Sequence, residues 1–190
     1  MPAECTYEMQ VWNVNLRNSG LVKKVKHLYG DLTSSETDHD TGCTVCSEDQ
    51  VLVNIPPLQP FPVCHRLASR VRTVVQDLLR SGTQLRTVIG YRVIKSRGAV
   101  DVQGNRTEFS NHSYGTAIDI NPEQNGLYDN CITFGPQCRL IRGGEWKRGR
   151  AGTLELNDDT VRSFKEAGFK WGGEIAGKQK DFMHFSLTGY

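Results

Sequence analysis

Ser110-Asn111-His112-Ser113-Tyr114-Gly115-Thr116-Ala117-Ile118-Asp119-Ile120-Asn121 is the stretch on which the reading of this chain turns. It sets an imidazole and a carboxylate seven positions apart, with a glycine between them. Read as a strand, 116–121 sends Thr116, Ile118 and Ile120 to one face and Ala117, Asp119 and Asn121 to the other. Ala117 is small and leaves room beside Asp119 for an ion. Gly115 permits a sharp approach that folds His112 back over the same face. Near the C-terminus, Asp181-Phe182-Met183-His184 supplies a second carboxylate and a second imidazole. In a last strand over 182–187, Met183, Phe185 and Leu187 face the core, and His184 and Ser186 face a groove.

Two neutral imidazoles and one carboxylate are a three-ligand set for catalytic zinc, with water in the fourth position. His112, Asp119 and His184 are therefore the expected ligands of one Zn2+ per chain. Asp181 lies three residues before His184 and cannot share its strand face. It is expected on the preceding bend, as the general base beside a water whose pKa zinc lowers from about 15.7 to about 7. The string Ser-x-His-x-x-Gly-x-Ala-x-Asp arises by chance in such a chain on the order of once in ten thousand, at average residue usage.

Working outward, Leu85 to Ile94 alternates β-forming residues and predicts a central strand ending in Gly90-Tyr91-Arg92. Arg92 is expected to stabilise an oxyanion or hold a substrate carboxylate. Residues 95–109 read as a polar loop over the site. Upstream, Leu67, Val71, Val74, Val75, Leu78 and Leu79 recur at helical spacing, and Gly82 stops that helix. Four prolines between Ile55 and Pro62 predict an extended connector leading into it. Residues 7–16 predict one or two short strands, as an edge hairpin; 20–50 is polar, with Lys23, Lys24 and Lys26 read as a solvated face, and Asp38, His39, Asp40 and Cys43 as a polar loop in preference to a metal site. Asn121 to Gly149 reads as a long excursion walling the groove. A short helix follows from Asp158 to Gly168.

The 190 residues suffice for one well-filled core, and a formal net charge of +2 argues against a nucleic-acid binder. No apolar run approaches a membrane span, and Met1 to Gln10 shows no secretory signal. The cysteines are Cys5, Cys43, Cys46, Cys64, Cys131 and Cys138. Their even number suits disulfides. Cys131 and Cys138 flank a Gly135-Pro136 turn and can pair locally. Cys43-x-x-Cys46 reads as structural, disulfide or metal, because no βαβ context for redox chemistry surrounds it. Residues 1–54 are taken as a cysteine-containing segment packed on a domain of 55–190.

These motifs resemble the VanY-type D-alanyl-D-alanine carboxypeptidase family of zinc peptidases, which includes L-alanyl-D-glutamate peptidases of phage endolysins. The resemblance is carried by Ser110 to Asp119, Trp171-Gly172-Gly173, Asp181 to His184 and, more weakly, Gly90-Tyr91-Arg92. It departs after that last motif, where Val93-Ile94-Lys95-Ser96-Arg97 replaces a fuller Ser-Arg-x-x-x-Gln run. The resemblance implies an α+β fold whose small antiparallel sheet carries the zinc and packs against helices, as in lysostaphin-type peptidases and the hedgehog signalling domain. It implies hydrolysis of peptidoglycan stem peptides, with Asp181 as the base and Arg92 as a substrate or transition-state contact. A monomer acting at the cell wall is expected, with Ser110, Tyr91 and Trp171 contacting substrate. The competing readings are a metal-containing binding module without catalysis, and an inhibitor or adhesion protein built on the cysteine-rich segment.

Overall fold

The helical spacing upstream of the motif becomes a helix over Ala68–Arg80, seen in a computed structural model that describes residues 2–188. In chain order, β1 (Glu4–Val11), β2 (Lys23–Leu28), β3 (Thr37–Asp38), β4 (Cys43–Thr44), β5 (Gln50–Val53) and β6 (Phe61–Cys64) precede that helix, α1. Then come β7 (Val88–Ile89), β8 (Val93–Val100), β9 (Arg106–Phe109), β10 (Ala117–Ile120), β11 (Leu127–Asp129) and β12 (Arg139–Arg142). Helix α2 (Asp159–Glu166) leads to β13 (Lys170–Trp171), β14 (Lys180–Asp181) and β15 (His184–Ser186). The fold is mixed α+β, with several small sheets and two helices among the described residues.

The chain divides into two compact units. One comprises the residues up to Leu52 together with Pro62–Ala68 and Gly90–Thr116; the other comprises Val53–Phe61, Ser69–Ile89 and everything from Ala117 on. The first is built on the sheet β2-β1-β8-β9. Its core gathers Cys5, Tyr7, Val45, Cys46, Val93 and Phe109. Disulfides Cys5–Cys46 and Cys43–Cys64 staple this unit, so the two cysteines of the CxxC bond elsewhere and not to each other.

Two expectations are corrected in this unit, and the stretch that carries the lysines is regular. Strand β1 is not at an edge; it pairs antiparallel with β2 and parallel with β8. The lysines of 23–28 lie on a strand, with Lys24 and Lys26 paired to Glu8 and Glu4 across the hairpin. Val25 and His27 alternate with them as the less exposed face, a period of two that the lysine run hides. Residues 95–109 are not a loop: β8 and β9 form a hairpin whose irregular register and polar residues blur the alternation.

The second unit centres on the antiparallel sheet β13-β15-β10-β7. Ile118 and Phe185 are buried in it, and Phe185 stacks on Phe164 of α2 with ring centroids 4.7 Å apart. The expected strand over 85–94 is broken. Its first part is β7, which pairs with β10, and its second part is β8. The break falls at Gly90, where a Cβ would lie 2.0 Å from the Pro62 carbonyl oxygen, so only glycine fits there. The excursion of 121–149 is in part ordered as β11 and β12, which continue into β14. Cys131–Cys138 closes their connection, as the turn signal implied.

A candidate metal centre

Strand β10 pairs with β15 so that Asp119 lies opposite His184. Partners across an antiparallel ladder share a face, and here both side chains are buried. The Asp119 Oδ1 and His184 Nδ1 are 3.3 Å apart. That is long for a charge-assisted hydrogen bond, which runs about 2.7–2.9 Å. It matches the separation of two ligands on one tetrahedral ion, about 3.3 Å for bonds of about 2.0–2.1 Å.

His112 is delivered by the chain itself. Asn111–Tyr114 is a 3-10 turn ended by Gly115 at φ 66, and β10 starts two residues later. The residues 90–94 hold this turn. The Gly90 carbonyl lies 2.7 Å from His112 Nδ1; a carbonyl only accepts, so Nδ1 carries the proton and the ring's lone pair sits on Nε2. The Arg92 N–H donates to the His112 carbonyl at 3.1 Å. The Ser113 hydroxyl donates to the Ile94 carbonyl and accepts from the Ile94 N–H, each at 3.0 Å. Arg97 reaches Asn111 Oδ1 at 2.7 Å. His112, Asp119 and His184 each offer one ligand atom within 4.8 Å of the others, and all three are buried. Two imidazoles and a carboxylate at this spacing can hold a metal ion, and zinc fits the donor set. Among the described residues the other group of ligand type, Cys5, Cys46 and Glu48, has its sulfurs bonded to each other.

Asp181 is not on a bend. It is the second residue of β14, pairs with Leu127 of β11, and is buried. The segment 171–173 explains itself against it. A Cβ on Gly172 would meet the Asp181 carbonyl oxygen at 2.3 Å, and one on Gly173 would meet the Trp171 ring at 2.5 Å. The Trp171 indole N–H donates to the Phe182 carbonyl at 2.8 Å. Trp-Gly-Gly thus packs directly onto the Asp181–His184 segment. Ser110 is buried with its Oγ 3.2 Å from Ser113 Oγ. The Tyr91 hydroxyl donates to the Val45 carbonyl at 2.7 Å, and burial pushes its phenol up to about 12. The Gly90 carbonyl and Ser113 as supports of His112 were not read from the sequence. Their only signal was proximity to the motifs, because backbone acceptors carry no residue signature.

No solved structure matches the chain. A family model matches residues 103–187, and its description is D-alanyl-D-alanine carboxypeptidase. The match runs from before His112 to beyond His184, so that stretch is similar to the peptidase family.

Proposed function

We propose that this protein is a zinc-dependent peptidase that hydrolyses peptide bonds in peptidoglycan stem peptides, as a D,D-carboxypeptidase or an L-Ala-D-Glu endopeptidase. The observation that carries the reading is the buried Asp119–His184 pair at ligand spacing, inside the stretch the peptidase family matches. His112, Asp119 and His184 are the zinc ligands, and β13-β15-β10-β7 is the zinc-carrying sheet. Zinc bound there supplies a Lewis acid that makes water a competent nucleophile near neutral pH. Asp181 takes the proton from the attacking water and returns it to the departing amine. Its burial favours the proton-accepting role over that of a solvated surface carboxylate. Arg92 steadies negative charge developing on the scissile carbonyl oxygen.

Ser110, Tyr91 and Trp171 are the proposed substrate contacts. Tyr91 and Trp171 have their polar atoms committed to backbone carbonyls, so they meet a peptide through ring faces. Three disulfides suit work outside the reducing cytoplasm, where the cell wall lies. The test is to incubate zinc-loaded protein with a stem pentapeptide and weigh the fragments. Release of D-alanine, or cleavage after L-alanine, supports the reading. An intact peptide at enzyme excess overturns it.

A further inference from the structure

The strand registers place a lysine on the face that carries the Asp119–His184 pair. Lys170 pairs with Ser186, and Ser186 in turn with Ala117. One row along the same strands, His184 pairs with Asp119. Residues opposite each other, and residues two apart on a strand, share a face. Lys170 is therefore one strand outward from His184, about 4.8 Å, and one pleat along, about 6.8 Å.

This face borders a cavity of about 480 Å3 lined in part by Lys165, Lys170, Glu174, His184, Ser186 and Thr188. Its size is that of a small-ligand site. Lys165 and Glu174 neutralise each other, with Nζ 2.8 Å from both carboxylate oxygens. Lys170 has the Thr188 carbonyl at 3.4 Å, and no carboxylate pairs with it among the described residues. The cavity wall is thus cationic, with hydroxyl-bearing Ser186 and Thr188 beside the charge.

We propose that this cavity is a subsite for a carboxylate on the substrate residue whose amine departs, and that Lys170 is its specificity-determining residue. The proposal rests on the peptidase reading. Both candidate bonds meet its requirement. A terminal D-alanine carries its free carboxylate within about 4 Å of the scissile carbonyl carbon, and a γ-linked D-glutamate carries its α-carboxylate at the same remove. The two offsets combine to about 8 Å between the Cα atoms of Lys170 and His184, and a lysine arm reaching about 6 Å covers most of it.

The test measures, by calorimetry on zinc-loaded Asp181→Ala protein, the binding of a pentapeptide ending in D-Ala-D-Ala and of its C-terminal amide. The acid is expected to bind about ten-fold tighter than the amide, the worth of one charge-assisted contact. Lys170→Met should bring the two within about two-fold, and Lys170→Arg should restore most of the preference. Lys170 is exposed, so melting curves of the variants should overlay. Equal binding of acid and amide, a preference that survives Lys170→Met, or no binding of the acid overturns the subsite. Failure of the peptidase reading shows separately, as wild-type protein that binds the acid preferentially yet cleaves nothing.

Discussion

Asp119 and His184 face each other across paired strands, 65 residues apart in sequence and 3.3 Å apart at Oδ1 and Nδ1. A strand pair fixes both backbones, so the two side chains come preorganised, and His112 follows from a short connected turn.

Replacing Asp181 with alanine is expected to leave metal binding intact and lower hydrolysis by about 10²–10⁴-fold. Metal analysis and peptide turnover on the same preparation check this. A variant that cleaves as fast as wild type removes Asp181 from the mechanism.

Gly90→Ala drives a Cβ to 2.0 Å from the Pro62 carbonyl oxygen. It is expected to cost about 1–3 kcal/mol of stability. Because the Gly90 carbonyl orients His112, zinc affinity should also fall by about 10–100-fold. Thermal melting and a zinc competition assay read the two effects apart.

Glu36 governs the acid limb of stability. Burial would raise its pKa, but hydrogen bonds from Tyr7, Thr33 and His27 outweigh that and hold it at about 2, below the ordinary 4.5. A depressed acid contributes stability that is full above about pH 4.5 and lost as pH falls toward 2, of the order of 2–3 kcal/mol. His27 acts in the opposite sense. Its pKa is raised, chiefly by the Leu28 carbonyl and then by Glu36, so its contribution is present below about pH 6.5 and fades as pH rises through its folded value. Glu36→Gln should flatten denaturation midpoints below pH 4.5; unchanged acid sensitivity in that variant contradicts the assignment.

The three disulfides close loops with sequence separations of 41, 21 and 7. Loop entropy ranks their removal at about 4, 3 and 2 kcal/mol. Paired Cys→Ser variants in denaturant titrations should follow that order. Loss of Cys131–Cys138 should affect hydrolysis more than its rank suggests, because β11 pairs with the strand that carries Asp181.

The grouping of His112, Asp119 and His184 was legible because each residue sits in a motif with fixed spacing and strand alternation. Helix α1 was legible for a similar reason, since its apolar stripe recurs over three turns. The N-terminal sheet was not. Lysines on β2 and polar residues on β8 and β9 mask a period of two, and the pairing of β1 with β8 joins segments more than 80 residues apart. The break at Gly90 was also hidden, because the close approach that demands glycine there is to a backbone carbonyl from a remote strand. Asp181 was misplaced onto a bend because a two-residue strand leaves no periodicity to read.

The most direct test is metal content per chain after zinc loading and dialysis, for the wild type and for Asp119→Ala and His184→Ala. The account predicts one zinc per wild-type chain, removable by chelator together with all peptide cleavage, and well under half an equivalent in either variant. A wild-type chain that retains no zinc, or variants that retain a full equivalent, would contradict it.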